Sequence, residues 1–479
     1  MSGTPQQSQR SPSRRRSLPT HSPQTGAEPI RHSPSRHPHT THRSGIIRSR
    51  IRNTGEMVFI PFSNGADFLP DSSCAQFRCT RILHRAMANH DPNTYTIIFA
   101  GGGAAALSLA AQLVQSPLSH LRMLILDPDP KDRNDRTWCF WSTEPVFCES
   151  IVSHRWNHLA FVSDGTNLHL DTHPYDYRVI HSIDFYRHTH SILEASGRVH
   201  VVQASVESIT DAGNEDDMAT VIADGVTYRA DWVFDSRWVA VAYRGTDPRC
   251  HYLQQHFLGW TIRTPDDRFT PDRATLFDLR VPQDGVFRFV YTLPFSTREA
   301  MVEYTLFSAD LLAPPQYRKA LETYLSDQLG ITEYEILDEE SCVIPMTDES
   351  FPRAAGKKIM RIGTRGGRVK ASTGYAFLRI QQDSAAIVRS MIERGTPFHN
   401  RRPPRRYHTF DAMLLQILFR RGERGKEVFT ALFTRNPVSR IFRFLDEVGT
   451  VRENLLLMAT VPWFLFIRAW FAIRFSKRV

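Results

Sequence analysis

Two groups of residues in this chain could do chemistry. The first is the turn Gly101-Gly102-Gly103-Ala104-Ala105-Ala106, set between the apolar runs Thr96–Ala100 and Met123–Leu126 and followed by Asp127. Strand, tight turn, helix, strand and acid in that order form the layout of a βαβ dinucleotide site. Gly101 permits the turn, and Gly103 lets backbone N–H groups approach a pyrophosphate at a helix N-terminus. Ala106 stands where a small residue lets the helix sit close to the sheet. Asp127 can accept hydrogen bonds from a ribose diol.

The second is Glu303, a lone carboxyl in the run Met301–Phe307, whose neighbours on both faces are apolar or aromatic. Burial there raises a carboxyl pKa and keeps it protonated near neutral pH, so that it can protonate a weak base. An edge-strand glutamate facing solvent is the plainer alternative. Phe289, Tyr291, Tyr304 and Phe307 are candidates to line the space around it. A glycine-dense loop, Gly363–Gly374, suits a second backbone approach to a phosphate or flavin. Gly363, Gly366, Gly367 and Gly374 therefore join Gly101, Gly102, Gly103, Ala104, Ala106 and Asp127 as candidate cofactor contacts. Arg136, and Asp235 at the end of the apolar run Trp232-Val233-Phe234, complete that set.

Elements that could position these residues follow from the pattern. Val221–Asp231 predicts a hairpin on an Asp224-Gly225 turn. Residues 251–307 alternate as antiparallel strands, with Met301, Glu303, Thr305 and Phe307 on one face and Val302, Tyr304 and Leu306 on the other. A helix follows Pro314-Pro315 and stops at Gly330. Further helices are expected near Asp383–Glu393 and from Tyr407 onward. Near the C-terminus, Asn454–Ile467 is an uncharged run too short to span a bilayer and interrupted by Pro462. Its tryptophan, with Trp470, Arg474, Lys477 and Arg478, suits a segment lying in a membrane interface; a buried core helix is the alternative.

A chain of 479 residues exceeds one ordinary domain. Its net charge of +9 belongs to one end. Residues 1–90 hold thirteen arginines, no lysine and four acidic residues, so the remainder is balanced. Whole-chain charge is thus no argument for nucleic-acid binding, and none is expected. Residues 1–56 carry no apolar periodicity, so a disordered basic tail is expected. It lacks the apolar segment of a secretory signal; its Arg- and Ser-rich composition resembles a transit peptide, while a solvated extension, or a start at Met87, is the blander reading. Six cysteines show no paired spacing and twenty histidines no ligand set, so no metal is expected.

Taken together, the motifs resemble the lycopene β-cyclase family, in its bacterial flavoprotein-like branch, over roughly residues 95–470. The resemblance rests on Asn134-Asp135-Arg136-Thr137-Trp138-Cys139-Phe140-Trp141, Phe289–Ser296, Val302-Glu303-Tyr304-Thr305-Leu306-Phe307, Ile344–Asp348, Ser372–Phe377 with Arg379-Ile380-Gln381, and Phe410–Leu415, in that order. It implies an α/β (α+β) two-domain flavoprotein: a Rossmann-like FAD-binding domain interleaved with an antiparallel β substrate domain, plus C-terminal helices. The boundaries expected are 1–90 for the tail, 91–250 with 341–395 for the FAD/NAD(P) domain, 251–340 for the substrate domain and 396–479 for a helical cap.

The resemblance also implies the substrate, lycopene, whose linear ends close into β-ionone rings with no net redox change, giving γ- or β-carotene. The enzyme would be an intramolecular lyase or isomerase of carotenoid biosynthesis. FAD would act in reduced form, with NAD(P)H as electron source, and Glu303 falls on the family's essential acidic position. Many relatives carry a second acid next to it; Tyr304 here leaves Glu303 as the local carboxyl. Ala371 stands where relatives often have Pro. A substrate insoluble outside lipid implies a cytoplasmic protein peripheral to the membrane. A redox flavoprotein of the same fold, a hydroxylase or prenyl reductase acting on a membrane lipid, is the competing enzyme. Thr364 follows Gly363 where hydroxylases usually place Asp, which weighs against it. A carotenoid-binding protein with a degenerate flavin site is the non-enzyme alternative.

Overall fold

The computed structural model describes residues 91–214, 217–237, 247–399 and 404–475. The expected basic tail, with Met87, lies outside the described residues.

The chain starts as expected. β1 (Thr94–Ala100) leads through the glycine turn into α1 (Ala104–Val114), then β2 (Met123–Leu126). Next come β3 (Thr137–Ser142), β4 (His154–Trp156), β5 (His158–Ser163), β6 (Thr166–Asp171), β7 (Asp176–His181), α2 (Ser182–Ser196), β8 (Val199–Val202), β9 (Val206–Thr210), β10 (Ala219–Ala223) and β11 (Val226–Asp235). The second half holds β12 (Tyr252–Arg263), β13 (Arg273–Asp278), β14 (Phe287–Pro294), β15 (Glu299–Ser308), α3 (Pro314–Asp327), β16 (Glu335–Thr347), β17 (Ile359–Arg361) and α4 (Phe377–Arg394). Five helices close the chain: α5 (Arg405–Arg420), α6 (Gly425–Arg435), α7 (Val438–Leu445), α8 (Val451–Met458) and α9 (Trp463–Phe475).

Three sheets organise these elements. The first runs β8-β2-β1-β11-β10-β9, with β17 beside the end of β11; its β8, β2, β1, β11 and β17 are parallel. Strands buried on both faces read as continuous apolar runs, which is why β1 and β2 were visible as such. One face of this sheet packs under α1, α2 and α4, through Leu109, Phe185 and Ile387. The helix expected near Asp383–Glu393 starts earlier, at Phe377, because Phe377 and Ile380 also bury against α1 and β3.

The second sheet runs β16-β12-β15-β14-β13-β5-β6, antiparallel throughout except for β13 beside β5. The third is β3-β7-β4. Side-chain alternation sorts the second sheet's two faces. Leu258, Val302, Tyr304 and Leu306 pack with Leu321 and Leu325 of α3. Phe287, Phe289, Met301 and Phe307 face the other way and meet Phe429, Phe442 and Leu457 of the C-terminal helices. The apolar run of residues 454–467 is split into α8 and α9 with a 110° bend at the Pro462 break. No single helix among the described residues is long and apolar enough to cross a membrane.

Candidate active site

A cavity of about 610 Å³ runs from the first sheet to the C-terminal helices. At one end Gly101, Gly103, Ala104 and Ala105 meet Asp127, Lys131 and Arg136. At the middle Gly363, Thr364, Thr373 and Gly374 face the second sheet, where Gln255, Phe257, Phe289, Tyr291, Glu303 and Phe307 form the wall. At the far end Leu457, Met458, Val461 and Phe466 close it.

The glycine turn is built as its residue types require. Gly101 has φ +98°, and a Cβ there would approach Ser236 Oγ to 2.7 Å. No side chain caps α1 and no acidic residue lies in its first turn. The N–H groups at the start of α1 therefore border the cavity as an anion site. A Cβ on Gly103 would meet nothing within 4 Å. Asp127 accepts from the Gly102 N–H, and its other oxygen accepts from the Asp129 N–H at 2.8 Å. A carboxylate retains further lone pairs for a diol. Deeper in, Gln255 Oε1 and Thr373 Oγ1 are buried without partners. An anion-binding helix end, an acid beside it and two orphaned polar atoms within one cavity fit the phosphates, ribose and polar ring edge of a flavin dinucleotide.

Several residues singled out from sequence lie off the wall. Gly102 is turned to Asp127, and Ala106 is buried within the packing of α1. Asp235 is not a wall residue: it holds Arg237 Nε at 2.9 Å and Arg365 Nε at 3.0 Å, so its neighbours Ser236 and Arg237 reach the cavity instead. Gly366 and Gly367 shape the loop behind the wall, Gly366 because a Cβ would meet the Arg361 carbonyl oxygen at 2.5 Å, Gly367 with φ +71°. Tyr304 is corrected as a lining residue. Strand alternation turns it to the opposite face, where its hydroxyl meets Arg288 Nη1 at 3.4 Å.

Glu303 is 1% exposed. Tyr291 donates to its Oε2 at 2.9 Å and Thr305 to its Oε1 at 2.6 Å. Burial, and then the nearby charge of Glu340, push the carboxyl well above its ordinary range despite those two donors. Both partners are hydroxyls, able to donate to a carboxylate or accept from the acid, so the pocket holds either protonation state. Burial also raises the thiol of Cys139 and the phenols of Tyr177, Tyr291 and Tyr375, which keeps the rest of this wall uncharged.

A buried polar cluster ties the glycine loop to the C-terminal helices. Lys370 Nζ lies 2.8 Å from Asp411 and 2.9 Å from Glu447, and Arg379 lies 3.3 Å from Glu447. Trp141 Nε1 donates to Asp446 at 2.9 Å, and burial pushes Asp446 up to about 6. Sequence reading missed Lys370, Glu340 and Gln255; each looks like an ordinary polar residue until its neighbours are assembled.

The family model described as "Lycopene cyclase protein" matches residues 96–471. The chain belongs to the lycopene cyclase family.

Relatives within reach of comparison are distant. The chain is 25% identical over 384 residues to neoxanthin synthase, chloroplastic, of Solanum tuberosum, covering 75% of this chain and 72% of that protein. It is 25% identical over 321 residues to lycopene beta cyclase, chloroplastic, of Arabidopsis thaliana, covering 63% and 61% respectively. For lycopene beta-cyclase of Pseudescherichia vulneris the values are 24% over 294 residues, 59% and 70%. Among solved structures, a flavoprotein/dehydrogenase from Cytophaga hutchinsonii superposes with TM-score 0.54 at 12% identity, over 78% of this chain and 98% of that one. The flavin-dependent brominase Bmp2 gives TM-score 0.50 at 12% identity, over 76% and 98%. Such neighbours show a flavoprotein fold for this lycopene cyclase family member.

Proposed function

We propose that this family member is a lycopene β-cyclase that closes the linear ends of lycopene into β-ionone rings by acid catalysis. The observation that carries the reading is Glu303: a buried carboxyl, pushed well above its ordinary range by burial, on the aromatic wall of a large apolar cavity. Glu303 protonates a terminal double bond. The resulting tertiary cation is attacked by a neighbouring double bond, which closes the ring. Loss of a ring proton completes the product, so proton and electron counts balance with no net redox change.

The wall around Glu303 suits a cation that must not be trapped. Phe257, Phe289, Tyr291 and Phe307 offer ring faces, each able to contribute about 0.5–2 kcal/mol to a nearby cation. Tyr291 and Thr305 donate to both oxygens of the spent carboxylate, which restrains it from attacking the cation. The apolar walls exclude the water that would hydrate it. The residues from Gly101 to Ala105, with Asp127, Arg136, Gly363 and Gly374, would hold FAD. Reduced FAD, kept so by NAD(P)H, would supply negative charge to the cation without being consumed. The division into an FAD/NAD(P) domain, a β substrate domain and a helical cap belongs to the same proposal.

Delivery of the hydrocarbon is proposed through α8 and α9. Leu457 of α8, Phe466 of α9 and Val461 in the break between them line the cavity. Trp463 (64% exposed), Phe464 (62%) and Phe471 (52%) form an apolar surface flanked by Arg468 and Arg474. Aromatic rings beside arginines suit a lipid headgroup boundary, so the protein would sit in the cytoplasm, peripheral to the membrane.

Expression of the full chain in a lycopene-accumulating bacterium tests the reading. Conversion to β-carotene is expected, or to γ-carotene if one end is closed, together with a flavin absorbance in the purified protein. Unchanged lycopene beside a soluble yellow protein would overturn it in favour of a redox flavoprotein.

A further inference from the structure

Glu303 shares its cavity-side face of the second sheet with another buried carboxyl. In the register of the sheet, Glu303 of β15 lies opposite Gly259 of β12, and Gly259 lies opposite Glu340 of β16. Residues directly opposite in an antiparallel ladder point to the same face. The next row confirms the sense: Trp260 Nε1 donates to Glu339 at 2.9 Å, with Trp260 packed on the α3 side. Glu340 therefore points with Glu303, and it accepts from the Thr137 N–H at 3.0 Å, beside the cavity wall. Neighbouring strands lie about 4.8 Å apart, so the two glutamate backbones are about 10 Å apart. Their side chains extend over a residue that has none.

Gly259 keeps that gap open. A Cβ at this position would come within 3.0 Å of Met301 Cε and 3.3 Å of Glu303 Cγ. Glu340 is 9% exposed, and its Oε2 is buried without a partner. Burial of two acids in one row is costly if both ionise, so one of them retains its proton. Their surroundings decide which. Burial raises Glu340 too, but its charge is offset by the Thr137 N–H and the nearby Arg136, opposed by Asp338. Among the described residues, Glu303 has the hydroxyls of Tyr291 and Thr305 as donors and the neutral Cys139, Cys342 and Tyr375 around it. Hydrogen bonding and the nearby guanidinium thus favour charge on Glu340 over charge on Glu303.

We propose that Glu340 is a positioning residue for Glu303: the two carboxyls form a proton-holding pair across Gly259, in which the charge on Glu340 maintains Glu303 as the acid. The proposal deepens the cyclase reading and rests on it for its catalytic meaning. It also replaces the pairing of adjacent acids, absent here because Tyr304 follows Glu303, with a pairing between separate strands.

The test uses the purified full chain. The infrared carboxyl band of Glu303, identified by its loss in Glu303→Gln, is titrated against pH in the wild type, Glu340→Gln and Glu340→Asp. Lycopene conversion is followed over the same pH range. Glu340→Gln is expected to lower the Glu303 midpoint by about one pH unit. The alkaline limb of the conversion profile should move down with it, while Glu340→Asp, which retains the charge, stays with the wild type. An unmoved midpoint in Glu340→Gln overturns the pair. If Glu340→Gln does not fold, Glu340→Met, neutral and of similar volume, reads the same loss of charge. A chain that converts no lycopene refutes the cyclase reading, yet the infrared midpoint still decides the pair.

Discussion

Replacing Glu303 by glutamine should change not only activity but the way stability depends on pH. The folded-state pKa of Glu303 is raised, because burial and the charge of Glu340 outweigh the donors Tyr291 and Thr305. A raised carboxyl contributes stability that is fully present below its unfolded value, near 4.5, and is lost as pH rises through the folded value. Within that window the unfolded chain has released a proton that the folded chain retains. Each pH unit then costs the wild type about 1.4 kcal/mol relative to a variant that cannot ionise there. Above about pH 5.5 the difference in unfolding free energy between Glu303→Gln and wild type should therefore grow with pH in favour of the variant, until the folded-state carboxyl itself ionises. Whatever the glutamine amide gains or loses against Tyr291 and Thr305 does not depend on pH, so it drops out of the slope. Urea unfolding of both proteins across this range, with the flavin content held equal, measures it. A difference independent of pH would refute the claim that Glu303 is buried as the acid. The same variant should lose cyclisation by about 10²- to 10⁴-fold, the usual contribution of a general acid.

Two further outcomes are expected. Lys370→Met should cost about 3–5 kcal/mol in urea unfolding, since it leaves the buried Asp411 without its cation and Glu447 with Arg379 alone; a cost under about 1 kcal/mol would show that the cluster does not fasten the glycine loop to the C-terminal helices. Replacing Trp463, Phe464, Trp470 and Phe471 together by serine should weaken flotation with phospholipid vesicles by at least about a hundredfold, given the apolar area such rings carry. Unchanged flotation would remove α9 from the docking surface.

Local rules in the sequence determined a good part of this protein. The run from β1 to Asp127 declared itself because strands buried on both faces must be apolar throughout, and because Gly101 occupies a position where the turn demands a glycine. Alternation in β15 separated Met301, Glu303, Thr305 and Phe307 from Val302, Tyr304 and Leu306. That same alternation removes Tyr304 from the cavity, although its aromatic character suggested otherwise. Pro462 marked the break between α8 and α9.

What only the tertiary structure decided depends on contacts between residues far apart in the chain. Glu340 lies thirty-seven positions after Glu303 and meets it only through strand register, with Gly259 between them. Asp235 ends a strand as an acid in such a site would, yet Arg237 and Arg365 engage it. Hydropathy gives Leu457 and Phe464 the same character, whereas the face each occupies on its helix turns one into the cavity and leaves the other exposed. Periodicity follows from neighbours along the chain and is written in the sequence; register, ion pairing and the side of a helix that meets a cavity follow from what packs against it, and those are fixed only when the sheets and helices close together.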